Sequence, residues 1–257
     1  QYRMLEPIGR VVSEAFYPDL KLVAGRSKPE VEPSVLPAHL GAPLVWVETD
    51  ALGAEGFENL EESGSSRTNR IEATAIMSMI EQWHSEEAFR TWLQTQKKHP
   101  FGIGIICMYA AQRDLIRQRL RQSPLAYLLD VHVKVGTVDS YQGKENPIVV
   151  LSLVRNNSAG LIQNGRRCIQ EGFLATPNRI NVAASRAMDR LIVVGARRGW
   201  RDGGPMRRFA DAFSRQSDSG QALVVGVQDV LEREPDQLER RTKQKPSARA
   251  PVGGGNG

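Results

Sequence analysis

Two hydrophobic patterns alternate along this chain: apolar residues at helical spacing, and short unbroken apolar runs. The first stripe is Met4, Ile8, Val11, Val12 and Ala15, which predicts a helix and its exit within residues 3–24. Residues 25–41 mix proline, glycine and scattered charge and read as a loop. Residues 43–48, Pro-Leu-Val-Trp-Val-Glu, form a short β-rich run. Asp50, Glu55, Glu58, Glu61 and Glu62 then fall among glycine and serine, the pattern of a solvated acidic loop over 50–66. A long helix is expected from Arg67 to His84, capped by Ser65 or Ser66, with the stripe Ile71, Ala75, Met79 and Trp83. Residues 85–99 extend it or begin another.

The alternation continues. Residues 102–108 are too uniformly apolar to alternate, as in a strand covered on both faces. Gln112 to Arg121 is helical with Leu115, Ile116 and Leu120 inward. Strands are expected at 131–135, 148–154 and 191–194, with a helix from Pro177 to Met188 before the last. Beyond Gly195 the chain turns arginine- and glycine-rich, with one more strand at 222–225 and a short helix at 228–233. Short apolar strands interleaved with helices imply an α/β fold, a mainly parallel sheet with helices on both faces. One domain is expected over 1–233. The polar, basic, proline- and glycine-rich residues 234–257 read as a disordered tail.

Composition narrows the classes of function. The chain has 257 residues, ample for a real core. No run of about eighteen apolar residues exists, so no membrane partner is expected. Nor does an apolar signal core follow a basic start. Cys107 and Cys168 are too few for a disulfide framework or a zinc quartet, which suits a reducing cytoplasm, or the nucleoid or nucleus for a DNA substrate. Lys and Arg number 34 against 29 acids, a mild bias toward a polyanion. His39, His84, His99 and His132 are scattered singly, and no metal site is expected. Gly102-Ile103-Gly104 invites a dinucleotide reading, but Cys107 stands at the third glycine position and no strand precedes it.

Three segments carry chemistry. Gln1-Tyr2-Arg3-Met4 opens the chain, inside what reads as a motif, so a fragment of a longer protein is expected. Thr137-Val138-Asp139-Ser140-Tyr141-Gln142-Gly143-Lys144-Glu145 leads into the 148–154 strand. Arg179-Ile180-Asn181-Val182-Ala183-Ala184-Ser185-Arg186-Ala187 precedes Val193-Val194-Gly195. The turn offers hydroxyls, an amide and a glycine to a phosphate or a strand backbone. A carboxylate at Glu145 suits ribose hydroxyls, and Arg186 on a short helix and Arg3 can each present a planar cation to phosphate. All three segments are expected at strand ends, on the rim where open parallel sheets bind ligands.

Together these segments resemble the C-terminal RecA-like domain of superfamily 1 helicases. The closer resemblance is to the group that includes the nonsense-mediated-decay helicase, senataxin and aquarius. It covers residues 1–196 in the family's order, with further support from Asn69 with Glu72-Ala73, Tyr109 with Gln112, and Gly172-Phe173-Leu174. The one departure is Ala184-Ser185, where the family more often has Leu-Thr; serine keeps the hydroxyl. The resemblance implies a RecA-like three-layer sandwich and an ATP-dependent helicase or translocase. It gives Arg3 and Arg186 the role of arginine fingers on the γ-phosphate. It assigns Glu145, as the ribose or magnesium-proximal carboxylate, with Gly143 and Gln1 to nucleotide binding, and Thr137, Asp139, Ser140 and Gln142 to single-stranded DNA or RNA.

The chain lacks the phosphate-binding loop such a motor needs. Its only Gly-Lys pair, Gly143-Lys144, has Val138 where the loop's first glycine belongs and Glu145 where its hydroxyl belongs. ATP and Mg2+ are therefore expected to be held mainly by a separate N-terminal RecA-like domain, and the chain alone to be inactive. The alternative is a stand-alone nucleic-acid-binding or partner-docking module without ATPase activity.

Overall fold

The structure, a computed structural model, describes residues 2–19, 23, 25–26, 28–31, 35–60, 66–96 and 100–231. The expectations for Gln1, Glu61, Glu62, Ser65, His99 and the 234–257 tail lie outside these residues. In chain order the elements are α1 (Glu6–Phe16), β1 (Leu44–Glu48), β2 (Asn59–Leu60), β3 (Arg67–Thr68), α2 (Arg70–Ser85) and α3 (Glu87–Thr95). Next come β4 (Phe101–Cys107), α4 (Ala110–Gln122), β5 (Val131–Thr137), β6 (Asn146–Ser152) and the small hairpin β7 (Ile162–Gln163) and β8 (Arg166–Arg167). The last are α5 (Pro177–Ala184), β9 (Ala187–Gly195), α6 (Pro205–Asp218), β10 (Ala222–Gly226) and α7 (Val227–Leu231).

Among the described residues, six strands form one sheet in the order β10–β1–β9–β6–β4–β5, every pair parallel. The central strands β1, β4, β6 and β9 are mostly apolar and buried because both faces are covered, whereas edge strand β5 alternates with exposed His132. On one face α1, α5 and α6 enclose a core that includes Ile8, Trp46, Ile180, Phe209 and Phe213. On the other, α2, α3, α4 and α7 enclose Val45, Ile76, Trp83, Leu93, Ile116 and Val230. This is the three-layer α/β sandwich of the RecA-like kind. No helix of the described residues is long and apolar enough to cross a membrane.

Several sequence expectations shift in register. Helix α2 starts three residues late: Arg67 and Thr68 are in β3, and the cap is Asn69, whose side chain accepts the Glu72 N–H. Ser66 instead accepts the Ala111 N–H at 3.1 Å. Residues 85–96 do begin a new helix, α3. The expected helix to Met188 ends at Ala184, and β9 starts at Ala187, so Arg186 sits in the connection rather than on the helix. Helix α6 was missed within the arginine- and glycine-rich stretch. It starts on Pro205 and sends Phe213 edge-on against Trp46, ring centres 5.1 Å apart. The 50–66 stretch is not simply solvated acid. Asp50 accepts the Arg197 and Arg198 N–H groups, and the enclosed Glu58 carboxylate pairs with Arg155 at 3.1 Å.

Candidate functional site

Residues from three distant segments meet at the amino ends of β6 and β9. Arg3 is fixed by its neighbours: Met4 and Leu5 are buried, and the Leu5 N–H donates to the Met188 carbonyl at 2.8 Å. Its guanidinium pairs with Glu145, which immediately precedes β6. Arg186 immediately precedes β9, and its carbonyl accepts the Asn146 N–H at 3.1 Å, which binds the two strand entries together. The Arg186 side chain donates to the Val182 carbonyl at 2.9 Å and approaches the Ser185 hydroxyl at 3.4 Å. Among the described residues no carboxylate pairs with it within 4 Å. Partial burial and the like charge of Arg3 both push its pKa down, with Glu145 opposing. Two guanidiniums side by side, one lacking an acid of its own, make a site that favours an anion.

The location differs from the expected one. Ligands of open parallel sheets bind at the carboxyl ends of the strands, whereas Arg3, Arg186 and Glu145 gather at the amino ends. Thr137 closes β5 at the opposite end, level with Cys107 and Ser152. Six strand residues separate the Thr137 level from the Asn146 level, about 20 Å. The sequence motif 137–145 is thus divided between two rims. Exposed Asp139, Ser140 and Gln142 belong to the turn beside Thr137, and Gly143 and Glu145 to the approach to β6. Gly143 has φ +78°, a left-handed backbone that suits glycine.

The connection that spans the two rims is short for parallel strands. It lies flat because Gly104 and Gly136 carry no side chain: a Cβ on Gly104 would come 2.5 Å from the Tyr141 hydroxyl, and one on Gly136 2.7 Å from the Ser140 hydroxyl. Buried Tyr141 donates to Asn146 Oδ1 at 2.8 Å and is the pin of this connection. Gly102-Ile103-Gly104 therefore serves packing: a Cβ on Gly102 would meet the Asn146 side chain.

At the carboxyl rim lies a buried polar network. Glu72 accepts from the Ser152 hydroxyl at 2.6 Å and the Val154 N–H at 2.9 Å. Gln112 accepts the Asn69 N–H and donates to the Asn69 carbonyl and to Ser152. Asn69 also donates to the Gly56 carbonyl at 3.0 Å. Burial pushes the Glu72 carboxyl up to about 8 against these hydrogen bonds. Val154, held at φ 69°, keeps a conformation rare for a β-branched residue because its N–H is committed to Glu72. Beside the network, Phe173 stacks on Tyr109 at 4.9 Å and carries the Arg179 guanidinium at 4.7 Å, and Arg179 pairs with exposed Asp139 at 3.5 Å.

Sequence reasoning missed the support under Arg3. Fully buried Asp189 accepts the Glu30 and Val31 N–H groups at 2.7 and 2.8 Å and pairs with Arg26 at 2.6 Å. Arg26 in turn donates to the Arg3 carbonyl at 3.2 Å. The signal was Asp189-Arg190, a charged pair inside an otherwise apolar strand. Among the described residues no cluster of His, Cys, Asp or Glu suits a metal ion.

Comparison with known proteins agrees with this architecture. Residues 1–198 match the family described as "AAA domain". The chain is 40% identical over 108 residues, 42% of its length, to the helicase required for RNAi-mediated heterochromatin assembly 1 of Schizosaccharomyces pombe. It is 33% identical over 141 residues, 55% of its length, to a putative regulator of nonsense transcripts 1 of Takifugu rubripes. A third relative is the DNA replication ATP-dependent helicase/nuclease dna2 of S. pombe, 30% identical over 218 residues and 76% of this chain. The matches cover only 10%, 11% and 13% of those proteins' lengths. The family match spans more than three quarters of the chain, and the relatives named above are helicases or a nonsense-transcript regulator: the chain belongs to the AAA domain family and is a helicase-family domain.

Proposed function

We propose that this chain is the second RecA-like motor domain of an ATP-dependent superfamily 1 helicase or translocase. The observation that carries the reading is the meeting of Arg3, Glu145 and Arg186 from three distant segments, with no carboxylate paired to Arg186 among the described residues. In this reading ATP is the substrate, bound between this domain and a first RecA-like domain that contributes the phosphate-binding loop. Arg3 and Arg186 face the γ-phosphate and stabilise charge developing there, a contribution of ~10³–10⁵ in rate for an arginine finger. Glu145 accepts from ribose hydroxyls, and Gly143 lets the backbone approach the nucleotide. The cluster's one carboxylate is already paired with Arg3, so it does not fit a magnesium site. Magnesium, which bridges phosphate oxygens in such reactions, is assigned to the first domain.

At the opposite rim Thr137, Asp139, Ser140 and Gln142 contact a single strand of DNA or RNA through its backbone. The names of the relatives, a nonsense-transcript regulator and a DNA replication helicase among them, support a nucleic-acid partner.

The test compares the 257-residue chain with a protein that joins it to a phosphate-loop domain. The joined protein is expected to hydrolyse ATP under nucleic-acid stimulation, with Arg3→Ala removing turnover while nucleotide binding persists. The chain alone is expected to hydrolyse none. Robust turnover by the chain alone, or full activity of the Arg3→Ala protein, overturns the reading.

A further inference from the structure

The insertion between β6 and α5 carries a feature that the candidate site does not use. Ile162 pairs with Arg167, and Gln163 with Arg166, in a hairpin turned by Asn164 and Gly165 at φ 51° and 75°. Both central residues at positive φ give the tight turn whose twist suits a hairpin. A hairpin this short is not stable by itself, and this one is braced. The Asp202 N–H donates to Gln163 at 2.9 Å, Asn164 donates to the Asp202 carboxylate at 3.1 Å, and the Ile169 N–H donates to the Gly199 carbonyl at 2.8 Å. The bracing fixes a tip with no packing role. Leu161 and Ile162 are 68% and 63% exposed, and Arg166 and Arg167 point to solvent with no ion pair among the described residues.

The hairpin stands on the same rim as the Thr137 turn. Thr137, Cys107, Ser152 and Val194 are level across β5, β4, β6 and β9, and the hairpin is tied to the loop that leaves β9. Three strand spacings separate Thr137 from Val194, where the loop that holds the hairpin leaves the sheet, about 14 Å. At the ~3.4 Å phosphate spacing of one duplex strand, that is roughly four nucleotides. The Tyr109, Phe173 and Arg179 stack adjoins the Thr137 turn through the Arg179–Asp139 pair, and exposed Arg198 and Arg201 lie in the loop that holds the hairpin.

We propose that the β7–β8 hairpin is a second nucleic-acid contact of this domain, reached by the strand that passes the Thr137 turn. Arg166 and Arg167 bind phosphates, and Ile162, opposite Arg167, packs on sugar or base. The partner is set by charge complementarity: cations with no ion pair among the described residues, on a braced arm, on the rim of the turn proposed to contact the strand. The inference rests on the motor-domain reading and extends its strand path beyond the motif residues.

The test measures binding of the 257-residue chain to a labelled single-stranded oligonucleotide by fluorescence anisotropy between 50 and 200 mM salt. Removing two phosphate contacts lowers the slope of log K against log salt by about 1.4. The Arg166→Ala/Arg167→Ala variant is therefore expected to bind more weakly, its deficit shrinking about sevenfold from 50 to 200 mM. Arg166→Lys/Arg167→Lys is expected to keep most of the affinity, and Arg121→Ala, at the far end of α4, to bind like the parent. Unchanged affinity and slope in the double alanine variant overturn the hairpin contact. An equal loss per charge at Arg121 does so too, because it reduces the effect to net charge. If Thr137→Ala and Gln142→Ala weaken binding while the hairpin variant does not, the motor reading stands without this contact. Absence of any salt-sensitive binding by the parent chain overturns both.

Discussion

The two rims of the sheet handle polar groups in opposite ways. At the carboxyl rim, Asn69, Glu72, Gln112 and Ser152 are buried, and each is engaged by another member or by backbone. Such a network ties α2, α4 and β6 together and leaves nothing over for a ligand. At the amino rim, Arg3, Glu145 and Arg186 are partly exposed, and among the described residues Arg186 has no carboxylate of its own. Polar groups spent on one another hold a fold; cations held near each other without enough acid await a partner. Burial separates the two clusters: the enclosed one is spent on the fold, and the partly exposed one leaves charge facing solvent.

The largest effect that sharpens this contrast is in turnover. In a protein that includes both motor domains, Arg186→Ala is expected to lower ATP hydrolysis by at least ~10³-fold, about 4 kcal/mol of transition-state stabilisation. ATP binding and Tm are expected to stay close to the parent's. A variant within about threefold of parental turnover and with a normal melt returns Arg186 to an ordinary surface role.

Next comes Asn69→Ala at the other rim, read by urea unfolding of the chain. It removes the α2 cap on the Glu72 N–H and leaves the Gly56 and Val154 carbonyls without their side-chain donor, while the backbone bonds to Gln112 remain. A loss of roughly 3 kcal/mol in stability is expected. A loss below ~1 kcal/mol makes the network dispensable.

The third effect depends on pH. Glu72 titrates near 8 in the folded chain and near 4.5 when unfolded. Between those values the folded state holds the proton and the unfolded state does not, so this group's contribution to stability falls as pH rises from about 5 to 8. Its slope is at most about 1.4 kcal/mol per pH unit. Glu72→Gln is expected to flatten the decline, and parallel stability curves for parent and variant count against a protonated Glu72. The smallest effect is Glu145→Gln, which breaks an ion pair close to half exposed on both sides. Less than ~1 kcal/mol of stability is expected to go, and a larger loss in thermal unfolding would give the amino rim a structural role.

Much of this protein was legible because its local signals were unambiguous. Uniformly apolar runs located the central strands, since a parallel strand covered on both faces has no polar side to alternate with, and edge strand β5 showed itself by alternation as Val-His-Val-Lys-Val. The motifs at 137–145 and 179–187 marked the residues that now flank β6 and β9. Helix α6 was hidden because its Met206, Phe209, Ala210 and Phe213 stripe is interrupted by Arg207 and Arg208 and begins behind two glycines. The α2 boundary slipped because Ser65, Ser66 and Asn69 can all cap a helix, and only Gln112, arriving from α4, selects Asn69.

Hydrophobic period and motif order alone determined the class of fold and the segments that matter. The tertiary structure decided which of them meet. It divided one nine-residue motif between opposite rims, brought Arg3 to Glu145 across more than half the chain, and buried Asp189 beneath Arg3's support. Those outcomes depend on strand order and register, which are set by long-range packing. No local pattern of side chains records which neighbour a strand will choose.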